Sequence, residues 1–157
     1  MSPPPIIDII GYYGPVILFA ITFHSLIGRT PYLIVFTFGS IVNIFINNVL
    51  KSTFREPRPN NQRFFIHNEK AVEEYGFPSG HAQTSFFAVA YLFFVGGYQP
   101  ILLFMTLLCG ITLYQRWKYR RHDIKQLVFG SVFGILFAYG VAYTTQYYLH
   151  HNTHLYI

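Results

Sequence analysis

The sequence predicts an all-α fold, an integral-membrane bundle of about five transmembrane helices. Three observations predict it. Apolar residues make up 52% of the chain and charged residues only 11%, against about 25% charged in an ordinary soluble domain. Aromatic residues reach 20%, with 17 Phe and 13 Tyr, so 157 residues carry more apolar surface than one soluble domain can hide. Ten of the eleven Lys and Arg residues fall in two short segments, 51–78 and 115–126, between apolar runs.

The first expected helix covers Ile6 to Ile27, with Pro15 as a kink. The second runs from Tyr32 to Leu50 and the third from Ser79 to Gly97. The fourth, Ile101 to Tyr114, is short for a span, which needs about 20 residues. The fifth runs from Leu127 to Leu149. The joints carry the Pro and Gly residues that end helices, as in Gly28-Arg29-Thr30-Pro31 and Gly96 to Pro100. In the fifth helix, Gly130, Gly134, Ala138 and Ala142 share one face and would let a neighbour approach closely. In the second, Asn43 and Asn47 share a face, with Asn48 beside them. Amides there bond across helices or line a substrate path.

The length fits one domain, residues 1–157, with no internal repeat. With five spans, segments 51–78 and 115–126 lie on one membrane face, so the charge gathers at one surface. A net charge of +5 raises nucleic acid as a partner. Two compact basic blocks do not make a nucleic-acid face, and anionic headgroups or phosphate esters suit them better. Membrane lipids are therefore expected partners and nucleic acid is not. The single Cys109 allows no internal disulfide. The start, Met-Ser-Pro-Pro-Pro, lacks the basic region and cleavage site of a signal peptide, so the first apolar run is expected to be retained. Oligomeric state is not readable from the chain.

Three clusters carry chemistry. The first is Lys51-Ser-Thr-Phe-Arg-Glu-Pro57-Arg58-Pro59. Lys51 alone reads as a snorkelling anchor. Pro57 and Pro59 hold Arg58 on stiff, extended backbone, suited to bidentate phosphate binding. The second is Tyr75-Gly-Phe-Pro78-Ser79-Gly80-His81 before an apolar run. Ser79 reads as a plain N-cap, or as part of an anion site at a helix N-terminus with Gly80 allowing close approach and His81 in the first turn. The third is Arg116-Trp-Lys-Tyr-Arg-Arg-His122, followed by Gln126. Alone it reads as a basic loop with an incidental histidine. Arg116 and His122 converge only if the segment turns between them. His122 and Gln126 are one turn apart, so an amide oxygen could accept from the imidazole and fix its tautomer.

Together, in order and spacing, the clusters resemble the type 2 phosphatidic acid phosphatase superfamily. That pattern is K-x-x-x-x-x-x-R-P, then P-S-G-H, then S-R-x-x-x-x-x-H-x-x-x-D. The chain matches it at Lys51, Arg58 and Pro59, at Pro78, Ser79, Gly80 and His81, and at Arg116 and His122. Gln115 stands where the pattern has Ser, and Gln126 where it has Asp. Asp123, beside His122, would point elsewhere on a helix. The chain is more narrowly similar to the dolichyldiphosphatase branch, through Glu56 to Pro59, Glu74-Tyr75-Gly76 and Gln126; Gly80 departs from that branch, which has a second Ser there.

The resemblance implies a lipid phosphatase working through a phosphohistidine. It implies His122 as nucleophile, positioned by Gln126, and His81 as proton donor and then base. Lys51, Arg58, Arg116, Ser79 and Gly80 would hold the phosphate. It implies no cofactor and no metal. The substrate implied is a polyprenyl diphosphate, cleaved to the monophosphate and inorganic phosphate, with phosphatidate or another phospholipid as the competing substrate and a non-catalytic lipid-phosphate binder as the competing class. A tail with His150, His151 and His154 could bind metal but falls on the opposite face, as a surface tail. Counting Lys and Arg puts the basic face in the cytoplasm. The resemblance implies the lumen of the endoplasmic reticulum or an equivalent compartment, and that is the expectation carried forward.

Overall fold

Five helices account for nearly all of the architecture. The structure, a computed structural model, describes residues 4–65 and 75–152. Helices α1 (Ile6–Ser25), α2 (Thr30–Phe54), α3 (Gly80–Phe94), α4 (Gln99–Lys118) and α5 (Ile124–Asn152) follow in order. Four of them, all but α3, are long and apolar enough to cross a membrane. Glu74 and His154 lie outside the described residues.

The boundaries differ from the expected ones for physical reasons. The fourth helix is not short: it has 20 residues and takes in Arg116 and Lys118, whose charges complement the carbonyl end of the helix. The second extends to Phe54, so Lys51 sits inside its last turn. Pro31 and Pro100 stand in the first turns of α2 and α4, where a missing N–H costs nothing. The fifth helix starts earlier than expected because the Asp123 carboxylate accepts the Gln126 N–H at 2.8 Å and caps it. It also runs into the expected tail, and the His151 ring nitrogen Nδ1 is 2.9 Å from the Tyr147 carbonyl. α1 continues through Pro15.

α3 is the central element and touches each of the other four helices. Its 15 residues span about 22 Å. They reach from the start of α5 to the α1–α2 turn. At one end Ser79 N–H donates to the Gln126 carbonyl at 3.0 Å. At the other, Arg29 of the α1–α2 turn donates to the Val95 carbonyl at 2.6 Å. The small-residue face of α5 lies against α3, as its spacing predicts. A Cβ at Gly130 would stand 2.5 Å from the Ser79 carbonyl, and one at Gly134 would run into the Gln83 carbonyl. Ala138 and Ala142 are fully buried below them.

On α2 several polar side chains point inward and large apolar ones outward, as suits a helix that faces lipid. Ile34, Phe38, Ile41 and Phe45 are exposed along α2, while Asn43 and Asn47 are buried. Those asparagines do bond across helices. Gln83 of α3 donates to Asn43 Oδ1 at 2.9 Å and accepts from Asn47 Nδ2 at 2.8 Å. Asn48 faces outward, away from this network. Phe36, Phe87 and Tyr91 stack in the core nearby.

Candidate active site

All eight residues singled out in the sequence gather at one end of the bundle, where α2 and α4 end, α3 and α5 begin, and the first turns of α1 pass. Lys51 is buried there. Beyond α2, Arg55 takes a left-handed conformation (φ 48°) and turns the chain back. Glu56 to Pro59 then run extended, as the flanking prolines dictate. Pro57 forms an antiparallel bridge with Tyr75, and the Gly76 N–H donates to the Glu56 carbonyl at 2.8 Å. This pairing swings Arg58 over the α4–α5 turn. Its Nη1 donates to the Arg121 carbonyl at 3.1 Å and lies 3.4 Å from His122 Nε2.

At the start of α3, Ser79 is buried and its Oγ accepts the Ala82 N–H at 3.4 Å. The capping role is thus real. Gly80 and His81, in the first turn, have no helical carbonyl ahead of their N–H groups. A Cβ on Gly80 would stand 3.0 Å from Asn47 Oδ1, so a larger residue there must displace that amide. The His81 ring donates to the main-chain carbonyl of Tyr12.

Arg116 and His122 do converge, by a turn of definite form. The Arg121 N–H donates to the Arg116 carbonyl and the Arg120 N–H to the Trp117 carbonyl, both at 2.9 Å, with Arg120 left-handed at φ 51°. This is a Schellman ending, and it reverses the chain in three residues. Arg116 is buried, with its Nε donating to Gln115 Oε1 at 2.6 Å and its guanidinium 4.9 Å from the Tyr12 ring. Gln115 therefore holds the arginine where the family pattern has Ser.

His122 precedes α5 rather than sitting on it, and Gln126 reaches back to it. Nδ1 of His122 is 2.9 Å from the Gly76 carbonyl and 3.1 Å from Gln126 Oε1. The orientation of the amide is fixed by its other end, because Nε2 donates to the Pro57 carbonyl at 3.0 Å and to Glu56 Oε1 at 3.2 Å. Both partners of Nδ1 are then acceptors, so Nδ1 carries the proton. Nε2 is left with its lone pair, facing Arg58. Lys125 closes the chain of contacts at 2.5 Å from Glu56 Oε2.

Burial holds the His122 ring well below its usual range of protonation, and the charges of Arg58, Lys51 and His81 push the same way. Lys125 holds the Glu56 carboxyl below its ordinary range as well. His122 is only 4% exposed, yet it lines a cleft of about 410 Å³ with Pro59, Arg63, Trp117 and Asp123.

Sequence reading missed several members. Tyr12 carries no motif. Glu56 and Gly76 stand in the quoted segments, but their contacts with Gln126 and His122 require the fold. Among the described residues no three His, Cys, Asp or Glu side chains gather as a metal-ligand set.

The chain is similar to a curated relative, dolichyldiphosphatase of Saccharomyces cerevisiae (strain ATCC 204508 / S288c), with 24% identity over 115 residues. The match covers 73% of this chain and 40% of the relative, so the chain spans about two fifths of that protein's length. No solved structure matches the chain. A family model described as the PAP2 superfamily matches residues 32–149, a stretch that holds all three motifs, and the chain belongs to that superfamily.

Proposed function

We propose that this protein is a metal-independent membrane phosphatase that cleaves a polyprenyl diphosphate to the monophosphate and inorganic phosphate through a phosphohistidine on His122. One observation carries the reading. The His122 imidazole has Nδ1 committed to two acceptors, so a neutral ring presents the Nε2 lone pair beside Arg58. A nucleophile needs that tautomer. The substrate reading is supported by the contacts of Glu56 with Gln126 and Gly76, which join the segments that resemble the dolichyldiphosphatase branch, and by the name of the yeast relative.

In the first step, Nε2 attacks the terminal phosphorus in line. The N–P bond forms and the bond to the bridging oxygen breaks. His81, neutral in the free protein, takes a proton from the bound substrate's own acidic phosphate onto the nitrogen that faces the leaving oxygen. That nitrogen gives the proton to the bridging oxygen, and the lipid monophosphate leaves. In the second step His81 takes a proton from water as the water oxygen attacks the same phosphorus. The N–P bond breaks, phosphate departs and His122 is neutral again. Lys51, Arg58 and Arg116 stabilise charge on the equatorial oxygens, with Ser79 and the N–H groups around Gly80 assisting. The lipid tail stays in the bilayer, and the site faces the lumen of the endoplasmic reticulum or an equivalent compartment.

The test is phosphate release by the purified protein and its His122→Ala form from polyprenyl diphosphate and phosphatidate, with and without chelator. The expected result is release from the diphosphate, unaffected by chelator and lost in His122→Ala. Equal rates for the two proteins, or strict dependence on added divalent metal, would overturn the mechanism. A preference for phosphatidate would replace the substrate. Labelling of single cysteines at positions 65 and 152 from each side of the membrane reads the orientation.

A further inference from the structure

We infer that α1, which lies outside the family-matched residues, is part of the catalytic apparatus, with Tyr12 as a positioning residue whose carbonyl orients His81 and whose ring braces Arg116. The inference rests on the roles proposed above for those two side chains.

Pro15 stands inside α1, one turn beyond Gly11. Proline has no N–H for the carbonyl four residues earlier, and its ring crowds that carbonyl. The Gly11 carbonyl is therefore left without its helical donor within a continuous helix. The Tyr12 carbonyl lies on the same turn, and a carbonyl has two lone pairs. One of them receives the His81 ring N–H. The second His81 nitrogen is thereby the one that must serve the leaving oxygen and then water. The two rings stand 6.2 Å apart, centroid to centroid.

The Tyr12 side chain does separate work. Its ring lies 4.9 Å from the Arg116 guanidinium and stacks on Phe65 at 5.1 Å. Gln115 holds the other edge of that guanidinium through Nε. A planar cation fixed over an aromatic face and by an amide loses little freedom when it meets phosphate. α1 is itself anchored at this height. Asp8, fully buried, takes Lys118 Nζ at 2.6 Å and the Tyr119 hydroxyl at 3.0 Å. Gly11 packs so tightly that a Cβ there would stand 2.6 Å from the Gln115 Cβ. An anchored helix is what a positioning role requires.

The two contacts are separable by mutation. Pro15→Ala restores an N–H for the Gly11 carbonyl and removes the ring that crowds it, which re-orients the Tyr12 peptide in the same turn. kcat should fall about tenfold, the scale of a misplaced general acid, and the pH profile should shift, while thermal stability does not drop. Tyr12→Leu keeps the carbonyl and removes the ring. It should raise KM and weaken inhibition by vanadate about tenfold, as expected for a buried cation–π contact, with the pH profile unchanged. Tyr12→Phe keeps both ring and carbonyl and should recover most of the KM and vanadate inhibition lost in Tyr12→Leu. Ring nitrogen NMR of labelled His81 reads the same contact without turnover. The native protein should show one fixed tautomer, and Pro15→Ala a mixture. A native tautomer and pH profile in Pro15→Ala, or native KM and vanadate inhibition in Tyr12→Leu, would overturn the inference. A native protein inactive on every lipid phosphate would instead remove the functional reading, and the tautomer measurement would still decide the His81–Tyr12 contact.

Discussion

Gln126 presents its amide oxygen to His122 Nδ1 at 3.1 Å while its amide nitrogen is held by Glu56 at 3.2 Å. The pair explains why an amide stands where the wider family pattern has a carboxylate. A carboxylate at 126 would meet the Glu56 carboxylate, and two such groups cannot both stay ionised at that separation. Glu56 supplies the negative charge one residue further out, and Gln126 transmits only its hydrogen bond.

Exchange of the two groups tests this directly. Gln126→Glu alone should lower kcat at least tenfold, since repulsion drives one carboxyl off its partner. Adding Glu56→Gln should recover most of that loss. Steady-state kinetics of the two single variants and the double variant form a cycle that reads the coupling. Additive losses would show that the residues act independently.

The pH dependence follows from the setting of His122. Burial and the charges of Arg58, Lys51 and His81 keep the ring neutral well below its ordinary value of 6.5. Nucleophile protonation should therefore not limit kcat/KM until the pH is far below 6.5, and Arg58→Gln should move that acid limb upward. The stability linkage has a definite sign. The unfolded chain binds a proton at this histidine below 6.5 and the folded chain does not, so stability is full above that pH and falls as acid is added. Denaturation followed from pH 8 down to pH 5 checks the direction, and His122→Phe should flatten the curve.

Packing of α5 on α3 gives a prediction about the fold. A Cβ at Gly134 would run into the Gln83 carbonyl and come within 3.0 Å of the Phe87 nitrogen, whereas one at Gly140 meets nothing within 4 Å. Gly134→Ala should cost about 1–3 kcal/mol, the range for overpacking. Gly140→Ala should be neutral or gain about 0.5–1 kcal/mol from helix propensity. Thermal unfolding in detergent compares the two.

Much of this arrangement was legible in the chain. Apolar runs and their Pro and Gly joints located five helices, and alternation of the spans brought Lys51, Arg58, Arg116 and His122 to one end. Four-residue spacing identified the α5 face that meets α3. Helix ends were less legible. Lys51, Arg116 and the Asp123 cap extend three helices, because charge at a helix end reads as loop in a hydropathy pattern. The hydrogen-bonded chain from Lys125 through Glu56 and Gln126 to His122 joins residues 69, 70 and 4 positions apart, and spacing cannot supply the first two pairings. Tyr12 was invisible for a similar reason, since its contact with His81 is made through its carbonyl, which any residue has.

The central claim is the covalent intermediate on His122. Rapid quenching of the protein during turnover of a diphosphate labelled in its terminal phosphate, followed by peptide mapping, measures it most directly. The account predicts acid-labile, base-stable label on the peptide containing His122, accumulating in His81→Ala and absent in His122→Ala. Turnover with no label on the protein, or label on any other residue, would contradict it.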